Sequence, residues 1–142
     1  MFEPHGQYTL AHDHDIFILI GNGAWNLEAS QAAISQINGL VDALNDRRHA
    51  FIFDTQNVEG ITPDSFVAWS DAISYWLQHG FAAFVRVTDP ESANYKLFIQ
   101  PFDLRLQEIV EFSYAQDIAQ GIRILHQLGF SGFDDNAVIA SR

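Results

Sequence analysis

The chain has 142 residues, 48% of them hydrophobic and 13% aromatic, which predicts one packed domain and argues against wholesale disorder. Its 7 Lys and Arg residues are scattered and are outnumbered by 18 Asp and Glu, giving a net charge of −11. We therefore expect neither nucleic acid nor an anionic membrane surface as a partner. The absence of cysteine excludes disulfides, thiolate nucleophiles and Cys-ligated metal centres.

Targeting signals are not expected from the sequence. Met1 to Gly6 lack the basic flank and apolar stretch of a secretory signal peptide. The longest uninterrupted apolar run, Ile16 to Ile20, is far shorter than the roughly 20 residues of a membrane-spanning helix. The sequence therefore predicts a soluble cytoplasmic protein without membrane insertion.

The first half of the chain predicts a hairpin, a helix and a buried strand. Gln7 to His12 and Ile16 to Gly21 are β-prone runs, and the second is apolar throughout, as expected of a strand covered on both faces. Asn26 is a suitable helix cap. The helix after it has apolar residues at spacings of three and four, namely Ala33, Ile34, Ile37, Leu40, Val41 and Leu44. Ala50 to Phe53 predicts a short strand that ends at Asp54.

The next segment repeats the alternation of helix and strand. Thr62 is expected to cap a helix with Pro63 at its first position. The buried stripe of this helix consists of Phe66, Trp69, Ile73, Trp76 and Leu77. Gly80 ends the helix, and Phe81 to Thr88 forms a strand that is again followed by an aspartate, Asp89.

The remaining pattern predicts a short helix, a fifth strand and a last helix. Glu91 to Gln100 is expected to form the short helix, which Pro101 stops. Glu108 to Tyr114 is expected to be the strand, and Asp117 begins the last helix. Residues 131–142 have no sustained periodicity, which predicts a flexible C-terminal tail.

This order of elements resembles the STAS fold of the SpoIIAA-like superfamily, whose name comes from anti-sigma-factor antagonists. Gly23 to Glu28 after the second strand, and Asp54 followed by Thr62-Pro63 and Trp69, are similar to small uncharacterised bacterial members. The resemblance covers residues 6–130 and implies an α/β domain over residues 1–130. Its expected architecture is a single mixed sheet of about five strands packed with about four helices.

The resemblance also implies candidate regulatory residues. In the phosphoregulated antagonists, a strand-end Asp is followed by a loop and by an Asp-Ser pair at the next helix, where a kinase acts. Asp54 matches the strand-end Asp, but Thr62 and Pro63 take the Asp-Ser places, and Ser65 follows two residues later. A phosphate on Thr62 or Ser65 would suit a helix N-terminus. The alternative is that Thr62 is simply a cap.

The hypothesis that the protein is an enzyme rests on three charged residues. Asp54 and Asp89 are expected at the same edge of the sheet, where open α/β folds bind ligands, with Arg86 nearby. Structural roles in turns, or pairing with Arg86, are the alternative. No Gly-x-Ser-x-Gly motif is present, so the sequence does not support nucleophilic hydrolysis.

Two further motifs have ordinary structural explanations. His12 and His14, each followed by an aspartate, are of metal-ligating type, but a polar turn explains them without a third ligand. Gly21-Asn22-Gly23 follows a strand as a phosphate-binding turn would, but the third glycine of a dinucleotide motif is absent, and a flexible turn is the simpler interpretation. We predict no metal and no cofactor.

The segment Tyr95 to Leu106 carries more apolar side chains than one narrow helical stripe can bury. The candidate interface or ligand residues are its apolar members and two tryptophans of the preceding helix: Trp69, Trp76, Tyr95, Leu97, Phe98, Ile99, Phe102, Leu104 and Leu106. Within this set, Leu97, Leu104 and Leu106 are expected on a second surface, covered by another subunit or lining an apolar pocket. Extra packing on the protein's own core is the alternative.

These patterns favour a non-catalytic regulatory or scaffolding module that acts through protein contacts and forms a homodimer. The first alternative is a carrier or sensor of an apolar small molecule such as a lipid, bound between Tyr95 to Leu106 and the helix of Trp69 and Trp76. STAS-like domains are similar to the lipid-exchange fold, which raises this alternative by analogy. The second alternative is an enzyme that uses Asp54, Asp89 and Arg86.

Overall fold

One mixed β-sheet organises the protein, whose computed structural model describes residues 5–134. The strands are β1 (Gln7–Asp13), β2 (Ile16–Trp25), β3 (His49–Ile61), β4 (Phe81–Val87) and β5 (Glu111–Ala115). They lie in chain order across the sheet. β1 is antiparallel to β2, whereas β2, β3, β4 and β5 run parallel to one another.

Four α-helices and one π-helical segment connect the strands. They are α1 (Leu27–Ala43), α2 (Pro63–Leu77), the π-helical segment (Tyr95–Ile99), α3 (Gln100–Ile109) and α4 (Ile118–Gln127). The side chains of Asn26, Thr62 and Asp117 accept hydrogen bonds from backbone N–H groups in the first turns of α1, α2 and α4. The predicted caps Asn26 and Thr62 and the predicted start of the last helix at Asp117 are therefore confirmed, as is the α/β architecture with a five-stranded mixed sheet and four helices.

Several predicted boundaries are wrong, including the end of the second strand, which lies at Trp25 instead of Gly21, and the short helix from Glu91, where a π-helical segment begins at Tyr95. Pro101 does not stop a helix, because it lies in the first turn of α3, where its missing N–H breaks no helical hydrogen bond. The fifth strand begins at Glu111 instead of Glu108. The third strand does not end at Asp54: it continues to Ile61 by pairing with β2.

Alternation along the strands separates two cores, one on each face of the sheet. The aromatic face packs against α1, α2, the π-helical segment and α3, and its strand residues include Phe17, Leu19, Phe51, Phe53, Phe81 and Phe84. The aliphatic face packs against α4 with Ile16, Ile18, Ala50, Ile52, Ala83 and Val85. The large aromatic side chains face the three-helix layer, so this side holds the larger core.

The turn between β1 and β2 anchors the end of the described chain. The Asp15 carboxylate accepts hydrogen bonds from the backbone N–H groups of Ser131 and Gly132, and Asp13 accepts one from Phe133 at 2.7 Å. The Phe133 N–H lowers the pKa of Asp13 from its ordinary value. Residues 131–134, predicted as the start of a flexible tail, therefore pack on the domain. Residues 135–142 of that prediction lie outside the described residues.

A histidine is fully buried in the aromatic core. The His49 ring lies near Phe17, Phe51 and Phe81, and its Nδ1 is 2.9 Å from the carbonyl oxygen of Arg47. Nδ1 therefore donates to that carbonyl, and Nε2 has no partner among the described residues. Burial lowers the pKa of His49 from its ordinary 6.5, because a second proton would place an unpaired charge in the core.

We expect the stability of the protein to fall in acid partly through His49. Below pH 6.5 the unfolded chain binds a proton at His49 that the folded protein does not, so the free energy of unfolding decreases as pH falls. The slope from this group is at most about 1.4 kcal/mol per pH unit. Denaturant unfolding of the wild type and of His49→Phe, at about pH 7.5 and about pH 5.5, measures it. Equal pH dependence in the two proteins would contradict the assignment.

Candidate functional site

An apolar cavity of about 60 Å³ lies between the aromatic face of the sheet and the helices α2 and α3. The sheet contributes Leu19, Phe53 and Phe84 to its wall. The helical side is formed by Trp69 and Ile73 of α2, Ile99 of the π-helical segment, and Phe102 and Leu106 of α3. Since all of these side chains are apolar, the cavity offers mainly van der Waals contact to a molecule of its size.

The extension of β3 closes another side of the cavity. β3 pairs with β4 only as far as Asp54, but with β2 as far as Ile61, with register shifts in this second part. This β2–β3 extension contributes Trp25, Val58 and Ile61 to the cavity wall. The Trp25 and Trp69 rings lie edge to face with centroids 6.2 Å apart, so the extension packs directly on α2.

Gly21, Asn22 and Gly23 belong to this extension. They lie within β2, so the predicted flexible turn is wrong. A Cβ atom on Gly21 would lie 3.2 Å from a methyl group of Val58 and 3.4 Å from the Trp25 ring. The glycine therefore allows β2, Trp25 and β3 to approach one another beside the cavity.

A buried ion pair borders the cavity on the sheet side. Arg86 of β4 is 4% exposed and Asp103 of α3 is fully buried. Arg86 donates through Nη2 to Asp103 Oδ1 at 2.7 Å and through Nε to Oδ2 at 3.1 Å. This two-pronged geometry fixes the orientation of the guanidinium group and attaches α3 to the sheet.

Two tyrosines extend the ion pair towards the surface. The Tyr95 hydroxyl donates to Asp103 Oδ2 at 2.8 Å and lies 2.6 Å from the hydroxyl of Tyr114. Tyr114 of β5 is paired with Arg86 of β4 across the sheet and is 37% exposed. Burial, together with the hydrogen bond to Tyr114, raises the pKa of Tyr95 far above its ordinary value, so this hydroxyl stays protonated.

The nine predicted interface or ligand residues divide into three environments. Trp69, Ile99, Phe102 and Leu106 line the cavity. Trp76 and Tyr95 are buried away from it, and Phe98 is half-buried against Gly60. Leu97 and Leu104 are 68% and 57% exposed. Leu106, which was expected with them on a second surface covered by a subunit or lining an apolar pocket, is fully buried and lines the cavity, apart from the two exposed leucines.

The three residues of the enzymatic hypothesis have separate partners. Arg86 binds Asp103, and not Asp54 or Asp89. Asp54 accepts a hydrogen bond from the backbone of Gln56, and Asp89 accepts one from the backbone of Glu91. Within residues 5–134 no ion pair joins them. Asp54 and Arg86 both line the cavity, but Asp89 does not, and Arg86 is paired with Asp103 and not with Asp54, so the three residues do not form one charged constellation.

The candidate regulatory residues are also separated. Asp54 is joined to Thr62 by continuous strand, whereas the resemblance implied a loop. Thr62 is exposed at the start of α2, but Ser65 is fully buried, with its hydroxyl 2.8 Å from that of Thr62. A kinase would therefore reach Thr62 more easily than Ser65.

The histidines of the first turn have local partners. His12 Nε2 lies 2.8 Å from the carbonyl oxygen of His14, and His14 Nδ1 lies 2.8 Å from the Asp13 carboxylate. Across the described part of the chain, no cluster of three or more metal-ligating side chains is found. In the same residues, no helix has the length and apolar character needed to cross a membrane.

Comparison with solved structures identifies the fold as SpoIIAA-like. An uncharacterised SpoIIAA-like protein of Shewanella loihica PV-4 superposes with a TM-score of 0.57 at 14% identity, covering 88% of this chain and 97% of that one. SpoIIAA in its unphosphorylated form gives 0.57 at 9% identity, with 87% and 100% covered. An anti-sigma factor antagonist from Mycobacterium paratuberculosis gives 0.54 at 13% identity, with 83% and 93% covered.

Comparison at the level of sequence identifies no relative of known function. No protein-family model and no curated protein matches the sequence significantly. At identities of 9–14%, the structural likeness establishes the shared fold. The predicted STAS architecture is therefore confirmed, and the function has to be argued from the surface and the cavity.

Proposed function

We propose that this protein is a non-catalytic regulatory module that acts through protein contacts, first of all with a second copy of itself. The observation that carries the proposal is the exposure of Leu97 and Leu104, at 68% and 57%, in a segment whose neighbouring aromatic residues are buried. Two proteins with the same fold are described as anti-sigma factor antagonists, which supports the regulatory class by analogy.

The charged residues around Leu97 and Leu104 favour a second copy of the chain as the partner that covers this surface. Lys96, which pairs with Glu91, and Arg105, which donates to Ser74, are exposed beside them in a chain whose net charge is −11. In a two-fold dimer each surface meets itself, so the leucines of one copy lie against those of the other. Exposed acidic side chains of α3, such as Glu108, are then available to the cations of the partner copy.

The expected strength of this contact is modest. Full burial of one leucine contributes roughly 1.5–3 kcal/mol, and two copies provide four leucines. Association costs several kcal/mol in lost translational and rotational freedom. We therefore expect a dimer that forms in the micromolar range and exchanges with the monomer.

Size-exclusion chromatography with light scattering at about 50 micromolar tests the dimer. The expected mass is about twice the 16.0 kDa of one chain. The double variant Leu97→Ser/Leu104→Ser should return the mass to that of one chain. Val67→Ser is the matched control, because Val67 is 58% exposed on α2, outside the proposed surface. A wild-type mass of one chain, or equal dissociation by the control, would contradict the proposal.

A further inference from the structure

We infer that the cavity under the β2–β3 extension is a binding site for a small, mostly apolar, uncharged molecule that carries one hydrogen-bond-accepting oxygen. This goes beyond the proposed contact surface, which lies on Leu97 and Leu104, since neither leucine lines the cavity. The inference rests on the apolar wall, on two hydrogen-bond donors among its polar residues, Thr55 and Arg86, and on the size of the cavity. The third polar residue of the wall, Asp54, is an acidic side chain and disfavours an anionic ligand.

The residues of the cavity wall favour a ligand that is mostly apolar. Trp25, Phe53, Trp69 and Phe102 surround the space from four different elements of the fold, and aliphatic side chains fill the gaps between them. Aromatic and aliphatic walls with few polar groups are typical of sites that bind small organic molecules. A charged or strongly hydrated molecule would lose its hydration here without equivalent contacts.

Thr55 provides the first polar group. It lines the cavity from β3, and its hydroxyl oxygen is buried without a hydrogen-bond partner among residues 5–134. A buried hydroxyl without a partner is unfavourable in a folded protein, and it usually indicates an unfilled structural or binding role. A ligand oxygen in the cavity would give this hydroxyl an acceptor once the Thr55 side chain rotates, because in the observed rotamer the hydroxyl oxygen is not exposed to the cavity.

Arg86 provides the second polar group. Its Nε and Nη2 are held by Asp103, and its Nη1 has no hydrogen bond within the described part of the chain. An arginine nitrogen can only donate, so the complementary ligand group is again an acceptor. The Asp103 carboxylate already balances the guanidinium charge, and the chain is strongly acidic, so a neutral oxygen is favoured over an anion.

The volume of the cavity limits the ligand to a small molecule. One water needs roughly 10–15 Å³ of comparable volume. The observed 60 Å³ therefore suits a single ring or a short branched chain. A lipid with long acyl chains would require α3 to move away from the sheet, against the Arg86–Asp103 pair. The structure thus favours a smaller ligand than the lipid considered from the sequence.

Acetophenone and ethylbenzene are suitable probes, because both have an aromatic ring and a two-carbon substituent but only acetophenone has a carbonyl oxygen. Amide NMR titration of the full chain measures their dissociation constants. We expect shifts at Gly21, Thr55 and Val58, with acetophenone bound about threefold to tenfold more tightly, the difference that one hydrogen bond makes. Thr55→Val keeps the shape of the side chain but removes one of the two donors, so it should reduce the preference for acetophenone by at least about twofold, with Arg86 still available to the carbonyl oxygen.

A cavity-filling variant provides the second arm of the test. Ile73→Phe places a larger side chain into the space and should abolish the shifts for both probes. Shifts that persist in this variant, or the absence of shifts in the wild type at millimolar probe, would overturn the site. Equal affinities for the two probes in the wild type would overturn the acceptor requirement. A long-chain lipid retained in native mass spectrometry would overturn the size limit.

Discussion

Replacing Asp103 by asparagine is expected to lower the free energy of unfolding by about 3–5 kcal/mol. The substitution keeps the size of the side chain but leaves the Arg86 charge, which is only 4% exposed, without its counter-ion. It also converts the acceptor of the Tyr95 hydroxyl into a weaker one. The loss should exceed that of most single substitutions in this protein.

Denaturant unfolding monitored by tryptophan fluorescence measures this effect, since Trp69 and Trp76 report on the aromatic core. Glu91→Gln is the matched control: it makes the same chemical change in the exposed Lys96–Glu91 pair, and stability should not change measurably. Arg86→Met/Asp103→Leu replaces the whole pair by apolar residues and should recover most of the loss. A loss below about 1 kcal/mol in Asp103→Asn would show that the pair contributes little.

This ion pair shows where sequence analysis reached its limit. An arginine in the apolar run Phe81 to Thr88 already indicates that a carboxylate must lie nearby, because buried charges are paired. Sequence analysis offered Asp54 and Asp89, which precede and follow it at strand ends. The actual partner, Asp103, comes from a helix whose position depends on tertiary packing, so no local pattern identifies it.

Local signals were sufficient where the determining contacts are local. Asn26 and Thr62 were predicted as caps, and Asp117 as the start of the last helix, because cap hydrogen bonds reach only three residues along the chain. Strand interiors were also predicted well, since a continuous apolar run is typical of a parallel strand covered on both faces. These two kinds of signal account for most of the correctly predicted elements.

Strand pairing between distant parts of the chain explains the remaining differences between the predicted and the observed fold. The residues after Asp54 are polar and contain Gly60, so their sequence does not predict a strand. They are strand because β2 pairs with them, through an irregular register that no sequence pattern records. The cavity depends on this extension, and Thr55, its unpartnered polar residue, was therefore missed. Pro101 is compatible with both a helix end and a first helical turn, and only packing decides between them.

Gly80→Ala is expected to destabilise the protein by at least about 2 kcal/mol. Gly80 has a φ of +101°, a conformation that L side chains rarely adopt. A Cβ atom there would collide with the carbonyl oxygen of Arg47 and lie 2.7 Å from that of Asp46. Because these obstacles are backbone atoms, side-chain rotation cannot relieve them. The Gly80 carbonyl also accepts a hydrogen bond from His49 N–H at 3.0 Å, so a shift would disturb the start of β3.

Gly39→Ala is the matched control, and this substitution is expected to raise the free energy of unfolding instead of lowering it. Gly39 lies in the exposed interior of α1, and a Cβ atom there would meet nothing within 4 Å. Alanine should therefore stabilise the helix by about 0.5–1 kcal/mol, because it restricts the unfolded backbone without a clash. Thermal and denaturant unfolding of both variants measures the pair of effects. Since the chemical change is identical, a destabilisation of similar size in both variants would show that the turn at Gly80 accommodates a side chain, contrary to the geometry described above.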